Sequence, residues 1–476
     1  FRLCIIFLGF FSLAMIFPLL TALVSGEYKI AFGFGVTAGT TVLAAALAFI
    51  LGRKPAFNFN PQEGILLVCA GWFSACFLAA VPYYLSGYFP CFSDALFESV
   101  SGLTTTGSTI LPDVEILPRP LHLWRGMTHW LGGMGIVVLT VGLVPLLGVG
   151  GFQLLKAETT GPVKEKFTPK VTNTAKILWF IYCALTAIMA LLLFAGGMSW
   201  FDAIFHAFST MATGGFSTRN GSIASYNSPY IEWVCVVFMI LAGFNFTLMY
   251  RLMQGKFREI INNDEAKMYF AIILVSVLII GISILPQTGS IEKSLRRAFF
   301  HTATIITSTG LMAEDHNLWP SLAQLVIFIL LFIGGCSGST SGGIKVIRYV
   351  VLVKQAKNEI GRLLYPSGVF SLQLDKKPGE KNVVYSVAGF FFLYFLLICL
   401  GTLLMSCSTG AGIFNSINAS AIALGNVGLG LGRLTGGSIF YEAPNYVKWG
   451  FSFLMITGRL ELFTVLLLFM PGFWRR

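Results

Sequence analysis

Long apolar stretches alternate with short polar ones along the whole chain, and after two opening stretches (about 3–24 and 30–51) one pattern returns four times. Each unit has a long apolar helix, a half-length helix, a stretch of small residues with glycine, and a second long helix. The first unit runs 64–86, Phe92–Ser101, Thr104–Ser108, then 121–147. The second runs 175–197, Trp200–Met211, Ala212–Phe216, then 230–254, and the third runs 268–286, Ile291–Ile305, Thr307–Leu311, then 320–356. The fourth runs 384–406, Ile413–Ala423, Gly425–Leu429, then 444–470. Apolar runs of roughly 18 residues or more cross a bilayer, and shorter ones of about 10–14 dip in and return. Backbone amides in lipid must pair within their own segment, so these runs are helices.

The pattern predicts an all-α membrane protein. Four pseudo-symmetric repeats of helix, re-entrant pore helix, filter loop and helix surround one central pore, with two further N-terminal transmembrane helices. The expected divisions are an N-terminal helix pair at 1–60 and repeats at 61–152, 153–256, 257–357 and 358–476. The second and fourth repeats each begin with a cytoplasmic loop. The first apolar segment has no small-residue cleavage site behind it, so it reads as a helix rather than a signal peptide.

Composition agrees: 55% of residues are hydrophobic and 11% charged, against about 25% charged in soluble domains. The formal charge of +11 would suggest nucleic acid in a soluble protein. Here the cations sort by loop, into 153–176, 251–267 and 345–381, with Arg53, Lys54, Arg475 and Arg476 elsewhere. Under the positive-inside rule these segments and both termini face the cytoplasm. Acidic connections such as Asp113–Glu115 and Glu314–Asp315 alternate with them and lie outside. The nine cysteines show neither metal-ligand spacing nor a disulfide framework.

A potassium ion crossing a bilayer must exchange its water for other oxygens, and rings of backbone carbonyls can supply them. Glycine accepts positive φ and lets neighbouring carbonyls turn toward one axis. Gly107, Gly215, Gly310 and Gly428 hold equivalent places in the four stretches. A single such glycine reads as a tight turn; four in register read as a filter. Each short helix would point its partially negative C-terminal end inward, which favours a cation.

At these residues the chain resembles the membrane subunit of the bacterial Trk-type potassium transporters, in the superfamily that also holds the Ktr-type subunits. The motifs that carry the resemblance are Ser-Gly-Leu-Thr-Thr-Thr-Gly at 101–107, Trp-Leu-Gly-Gly-Met-Gly at 130–135 and Gly-Gly-Phe-Ser-Thr at 214–218. The others are Gly-Gly-Cys-Ser-Gly-Ser-Thr-Ser-Gly-Gly at 334–343, Asn-Val-Gly-Leu-Gly-Leu-Gly at 426–432 and Gly-Arg-Leu-Glu at 458–461. The resemblance implies one pore per chain, a homodimer in membrane lipid, and a cytoplasmic ring of nucleotide-binding regulatory subunits of the Trk-A type. It implies K⁺ as the transported ion, no organic cofactor, no nucleic acid, and a place in the bacterial cytoplasmic (inner) membrane. Filter carbonyls would come from Thr105, Thr106, Thr213, Gly214, Ser308, Thr309, Asn426 and Val427, beside the four glycines. Relatives that favour sodium carry serine at the first of these glycines; this chain keeps Gly107, which points to potassium. Each stretch has one filter glycine, fewer than in tetrameric potassium channels, so a looser filter is open.

The third returning helix contains Gly334, Gly335, Cys336, Ser337, Gly338, Ser339, Thr340, Ser341, Gly342 and Gly343, ten poor helix formers in a row. Close packing through small residues and a flexible gate below the filter both fit, and the resemblance favours the gate. The Gly-Lys-Ser/Thr of a phosphate-binding loop is missing. Arg459 is expected mid-helix in 447–470, at about 2.5–3.5 kcal/mol if at the bilayer centre. It would line the pore as a barrier to cations or form an interhelical salt bridge, with Lys345 in a similar role. His129, His206, His301 and Asp202 show no ligand or catalytic clustering and are expected to cap or pack the re-entrant helices. A secondary transporter would show inverted repeats, and an enzyme would show a nucleophile–base or metal constellation. Neither is legible.

Overall fold

The computed structural model describes residues 2–51, 61–143, 171–368, 370–375, 377–378, 381–431 and 438–474. The basic stretch 153–170, Arg53, Lys54, Lys376, Gly432, Arg475 and Arg476 lie outside the described residues, as does the end of the first returning helix beyond Leu143. Six described helices are long and apolar enough to cross a membrane, and up to eight do so if each of two bent pairs is one span. The chain is a multi-pass, all-helical membrane protein; a two-residue antiparallel pair, Gln373–Leu374 with Lys377–Pro378, is its one described strand pairing.

The long helices Pro61–Ser86, Val171–Ala195, Asp264–Thr288 and Lys381–Thr409 each precede and pack against a short one. The short helices are Phe92–Leu103, Trp200–Met211, Ile291–Ile306 and Ile413–Gly425, within two residues of their expected ends. Ser199 and Ser290 cap two of them by accepting backbone N–H groups at Asp202 and Lys293, which satisfies donors that have no intrahelical acceptor. Asp94, Asp202 and Glu292 lie in first turns, where a negative charge meets the positive end of the helix dipole.

The second and fourth returning helices depart from the continuous spans expected, and the third, expected to be interrupted at 334–343, is broken more widely. In the second unit Pro229–Ala242 and Phe246–Met253 meet at 101°. Asn245 Oδ1 accepts from the amides of Thr247 and Leu248 and starts a new helix there. In the third unit the helix stops at Leu330 and resumes at Val346, a wider break than 334–343. In the fourth unit Asn445–Arg459 and Leu462–Phe469 meet at 120°. Arg459 is therefore the last residue of a helix, not the middle of one. The break is set by Glu461, whose φ of 65° is costly for a side chain with a Cβ. That conformation carries its carboxylate to Arg348 at 2.6 Å.

Candidate functional site: a closed ring of turns and the loop beneath it

The four short helices end in the same way. The amides of Thr105, Thr213, Ser308 and Asn426 donate to carbonyls three residues back, at 2.9–3.4 Å. The amides of Thr106, Gly214, Thr309 and Val427 donate to carbonyls five residues back, at 2.8–3.1 Å. This is the Schellman pattern, which needs a left-handed residue just past the helix. That residue is usually glycine. Here it is Thr105, Thr213, Ser308 and Asn426, with φ of 53°, 56°, 54° and 52°. Only asparagine tolerates this region well, so three of the four turns hold real strain. Two residues on, Gly107, Gly215, Gly310 and Gly428 return to positive φ at 78°, 87°, 79° and 74°.

The turns also touch in sequence around a circle. A Cβ on Gly107 would lie 1.9 Å from the Gly214 carbonyl oxygen, and one on Gly215 would lie 2.2 Å from that of Thr309. A Cβ on Gly310 would lie 2.2 Å from the Val427 oxygen, and one on Gly428 would lie 2.1 Å from the Thr106 oxygen. Each glycine thus abuts the middle carbonyl of the next unit, and the fourth closes on the first. All four glycines line one cavity of about 140 Å³. Asn426 ties the ring inward, its Nδ2 donating to Thr106 Oγ1 and to the Met455 carbonyl, each at 2.9 Å.

The loop between Leu331 and Lys345 is buried against this ring. Ser308 Oγ accepts from the Gly342 amide at 2.6 Å and lies 3.2 Å from Ser341 Oγ. A Cβ on Gly342 would meet the Gly425 carbonyl at 2.5 Å. Thr340 Oγ1 donates to the carbonyls of Met211 and Ala242, at 3.1 and 3.2 Å. The bend at Gly243 frees its carbonyl to accept from the Cys336 amide at 2.9 Å. Glu265 holds the other side, accepting from Ser337 N and Oγ at 2.6 and 2.7 Å.

Among the described residues Arg459 forms no salt bridge, the alternative to its lining the pore, and Glu461 pairs with Arg348 of the same chain. The Arg459 guanidinium donates to the Thr340 carbonyl at 2.7 Å and to the Gly132 carbonyl at 3.2 Å. It stitches the loop to the first unit. Buried Lys345 donates to the Ser341 carbonyl. The glycine motifs flanking these contacts are packing points: Gly132 sits against the Leu103 carbonyl and Gly458 against that of Leu424, where a Cβ would come within 1.9 and 2.0 Å.

The polar residues singled out from sequence brace the segments after the turns. Asp202 accepts from Ser199 Oγ and Thr218 Oγ1 at 2.9 and 2.7 Å. His206 bridges the Asp202 carbonyl at 2.8 Å and Ser217 Oγ at 3.0 Å. His129 stacks on Phe216 at 4.2 Å and lies 3.3 Å from Ser209 Oγ. His301 packs against Trp319 and His316, and neither of its ring nitrogens has a hydrogen-bond partner among the described residues. Among the described residues no three His, Cys, Asp or Glu side chains form a metal-binding group.

Sequence reading missed the ion pairs. Glu98, fully buried in the first short helix, accepts from Arg125 Nε at 2.8 Å, Ile110 N at 3.1 Å and Thr109 Oγ1. Arg125 also donates to the Ser217 carbonyl at 3.1 Å and lies 4.0 Å over Phe216. Lys448 meets Asp94 at 2.7 Å and joins the fourth unit to the first. Partners that far apart in sequence leave no periodic signal; the only cue is a charge inside an apolar element. Replacing Arg125 by leucine leaves a buried carboxylate alone and is expected to cost about 3–5 kcal/mol. Thermal unfolding in detergent measures it, and the double variant with Glu98→Gln should recover most of the loss.

Comparison with known proteins shows the family and the overall fold. Residues 40–475 match the TrkH family model, described as a cation transport protein. The Trk system potassium uptake protein TrkH of Halomonas elongata is 37% identical over 98% of this chain and 97% of its own length. That of Salmonella typhimurium is 38% identical over 98% and 96%. The crystal structure of the potassium transporter TrkH from Vibrio parahaemolyticus superposes with a TM-score of 0.88 at 32% identity, covering 100% of this chain and 98% of that one. The chain is a membrane transporter rather than an enzyme, and it belongs to the TrkH family of cation transport proteins.

Proposed function

We propose that the chain takes up potassium ions across a bacterial cytoplasmic membrane, through one pore on the axis of its four units. The observation that carries this reading is the closed ring, in which four glycines at positive φ each abut a backbone carbonyl of the next unit. Such a ring offers dehydrated K⁺ a cage of oxygens. The four helix C-terminal ends beneath it add partial negative charge. The relatives' names, Trk system potassium uptake proteins, agree with that ion. The filter is Thr105–Gly107, Thr213–Gly215, Ser308–Gly310 and Asn426–Gly428.

The loop at 334–343 is the gate, shut in this conformation, with Arg459 and Lys345 holding its carbonyls and adding positive charge on the ion's path. The protein works as a homodimer, both termini cytoplasmic, under a nucleotide-binding ring of the Trk-A type. ⁸⁶Rb⁺ uptake into liposomes holding the purified protein tests the ion. Uptake suppressed by K⁺ and not by Na⁺ is the expected result. Equal suppression by both ions, in the parent and in a variant lacking 334–343, would remove potassium selectivity from the reading.

A further inference from the structure

Below the bend of the second unit an apolar cavity of about 250 Å³ opens between Ile240, Leu241 and Phe244 on one wall and Phe270 on the other. Its floor is the short helix Phe257–Asn262, which contributes Phe257 and Ile261. Phe257 is 61% exposed and Ile261 66% exposed, although each borders the cavity. The same helix and its approach carry Lys256 and Arg258, both exposed, and neither pairs with a carboxylate among the described residues. Arg251, by contrast, reaches Glu259 at 3.5 Å and fastens the helix in place. Residues 251–267 are also one of the basic stretches that mark the cytoplasmic side.

A short helix with an apolar face and cations beside it lies in the interface of a bilayer. The cavity it floors has almost no polar lining and so does not suit water, which needs two or more polar partners. It is too small for a helix about 10–12 Å across. A single hydrocarbon chain fits both limits. Lys256 and Arg258, the chain neighbours of Phe257, then choose among lipids, because basic side chains near the surface attract anionic headgroups.

We propose that this cavity binds one acyl chain of an anionic phospholipid of the cytoplasmic leaflet, with the phosphate held by Lys256 and Arg258. The site does not depend on which ion the protein carries. Its back wall is nevertheless continuous with the intramembrane loop. Ile240, Leu241 and Phe244 flank Ala242 and Gly243, whose carbonyls accept from Thr340 Oγ1 and the Cys336 amide. Whatever fills the cavity therefore lies against the segment that holds the loop.

The test is photocrosslinking of the full-length protein in phosphatidylethanolamine bilayers that contain phosphatidylglycerol with a diazirine in its acyl chain. Adducts are expected to concentrate on peptides containing Phe244, Phe257 and Phe270, and to be several-fold fewer with the matched phosphatidylcholine probe. The double variant Lys256→Glu/Arg258→Glu should lose about fivefold or more of that labelling, whereas Lys256→Arg/Arg258→Lys should keep it. These side chains are exposed, and labelling of the other lipid-facing helices reports that each variant is folded. Labelling spread evenly over all lipid-facing helices would overturn the proposal. So would equal labelling by the phosphatidylcholine probe, or charge reversal without effect.

Discussion

Deleting residues 334–343 is expected to raise ⁸⁶Rb⁺ flux through the purified protein by about a hundredfold, the change produced by removing a closed state favoured by roughly 2.7 kcal/mol. The surgery suits the geometry, because the loop's ends already meet. The Gly334 amide donates to the Ile344 carbonyl at 2.9 Å, and the Val346 amide to that of Gly335 at 3.1 Å. What is lost is the set of contacts to Met211, Ala242, Gly243, Ser308 and Arg459 that keeps the loop under the ring. Arg459→Ala removes one of these, to the Thr340 carbonyl, together with the bond to the Gly132 carbonyl, both from a charged donor and worth about 1.5–3 kcal/mol each, and should raise flux by about tenfold or more. Arg459→Lys separates tether from charge. A lysine keeps the positive charge but loses the planar fork that serves two carbonyls at once. Flux near the alanine level would identify the tether as decisive, and flux near the parental level would assign the effect to charge. A deletion variant no faster than the parent would rule out the loop as the gate.

The second large effect is expected at the ring itself. Gly215→Ala places a methyl group 2.2 Å from the Thr309 oxygen, at a φ of 87° where a Cβ costs about 1–2 kcal/mol. The obstacle is backbone, so the relief must come from turning a carbonyl that would face the ion. The preference for Rb⁺ over Na⁺ should fall by about tenfold, equivalent to ~1.4 kcal/mol, with yield and oligomeric state unchanged. Gly410→Ala is the control for backbone strain. Gly410 also has positive φ, at 64°, but no atom lies within 4 Å of its would-be Cβ, so ion preference there should not move. If both variants discriminate like the parent, the ring is not the filter.

Much of this was legible in the sequence. Period and length gave the short helices within two residues, and register singled out Gly107, Gly215, Gly310 and Gly428, which share positive φ. The left-handed residues ahead of them were not legible, because Thr105, Thr213 and Ser308 take a conformation their side chains disfavour and only the surrounding ring enforces it. The breaks at 243–245 and 460–461 were hidden by continuous apolarity on both sides. Asn245 two residues after Gly243 was a cap signal that could have been read, as could the Arg459–Glu461 pair inside an apolar run. The partners Asp94 and Lys448 could not have been matched without the fold that brings them together.

The way the ring closes also bears on biosynthesis. Thr106 and Asn426 are joined although 320 residues separate them, and Gly428 of the last turn seals against Thr106 of the first. Loops of that length close late, since their entropy must be met before the contact is made. A chain still emerging from the ribosome holds one, two or three turns but no complete ring. On the proposed reading of the ring as the filter, an arrested or truncated product would thus sit in the membrane without a dehydrated path for potassium, and a cell making this protein would not leak its ion gradient through unfinished copies.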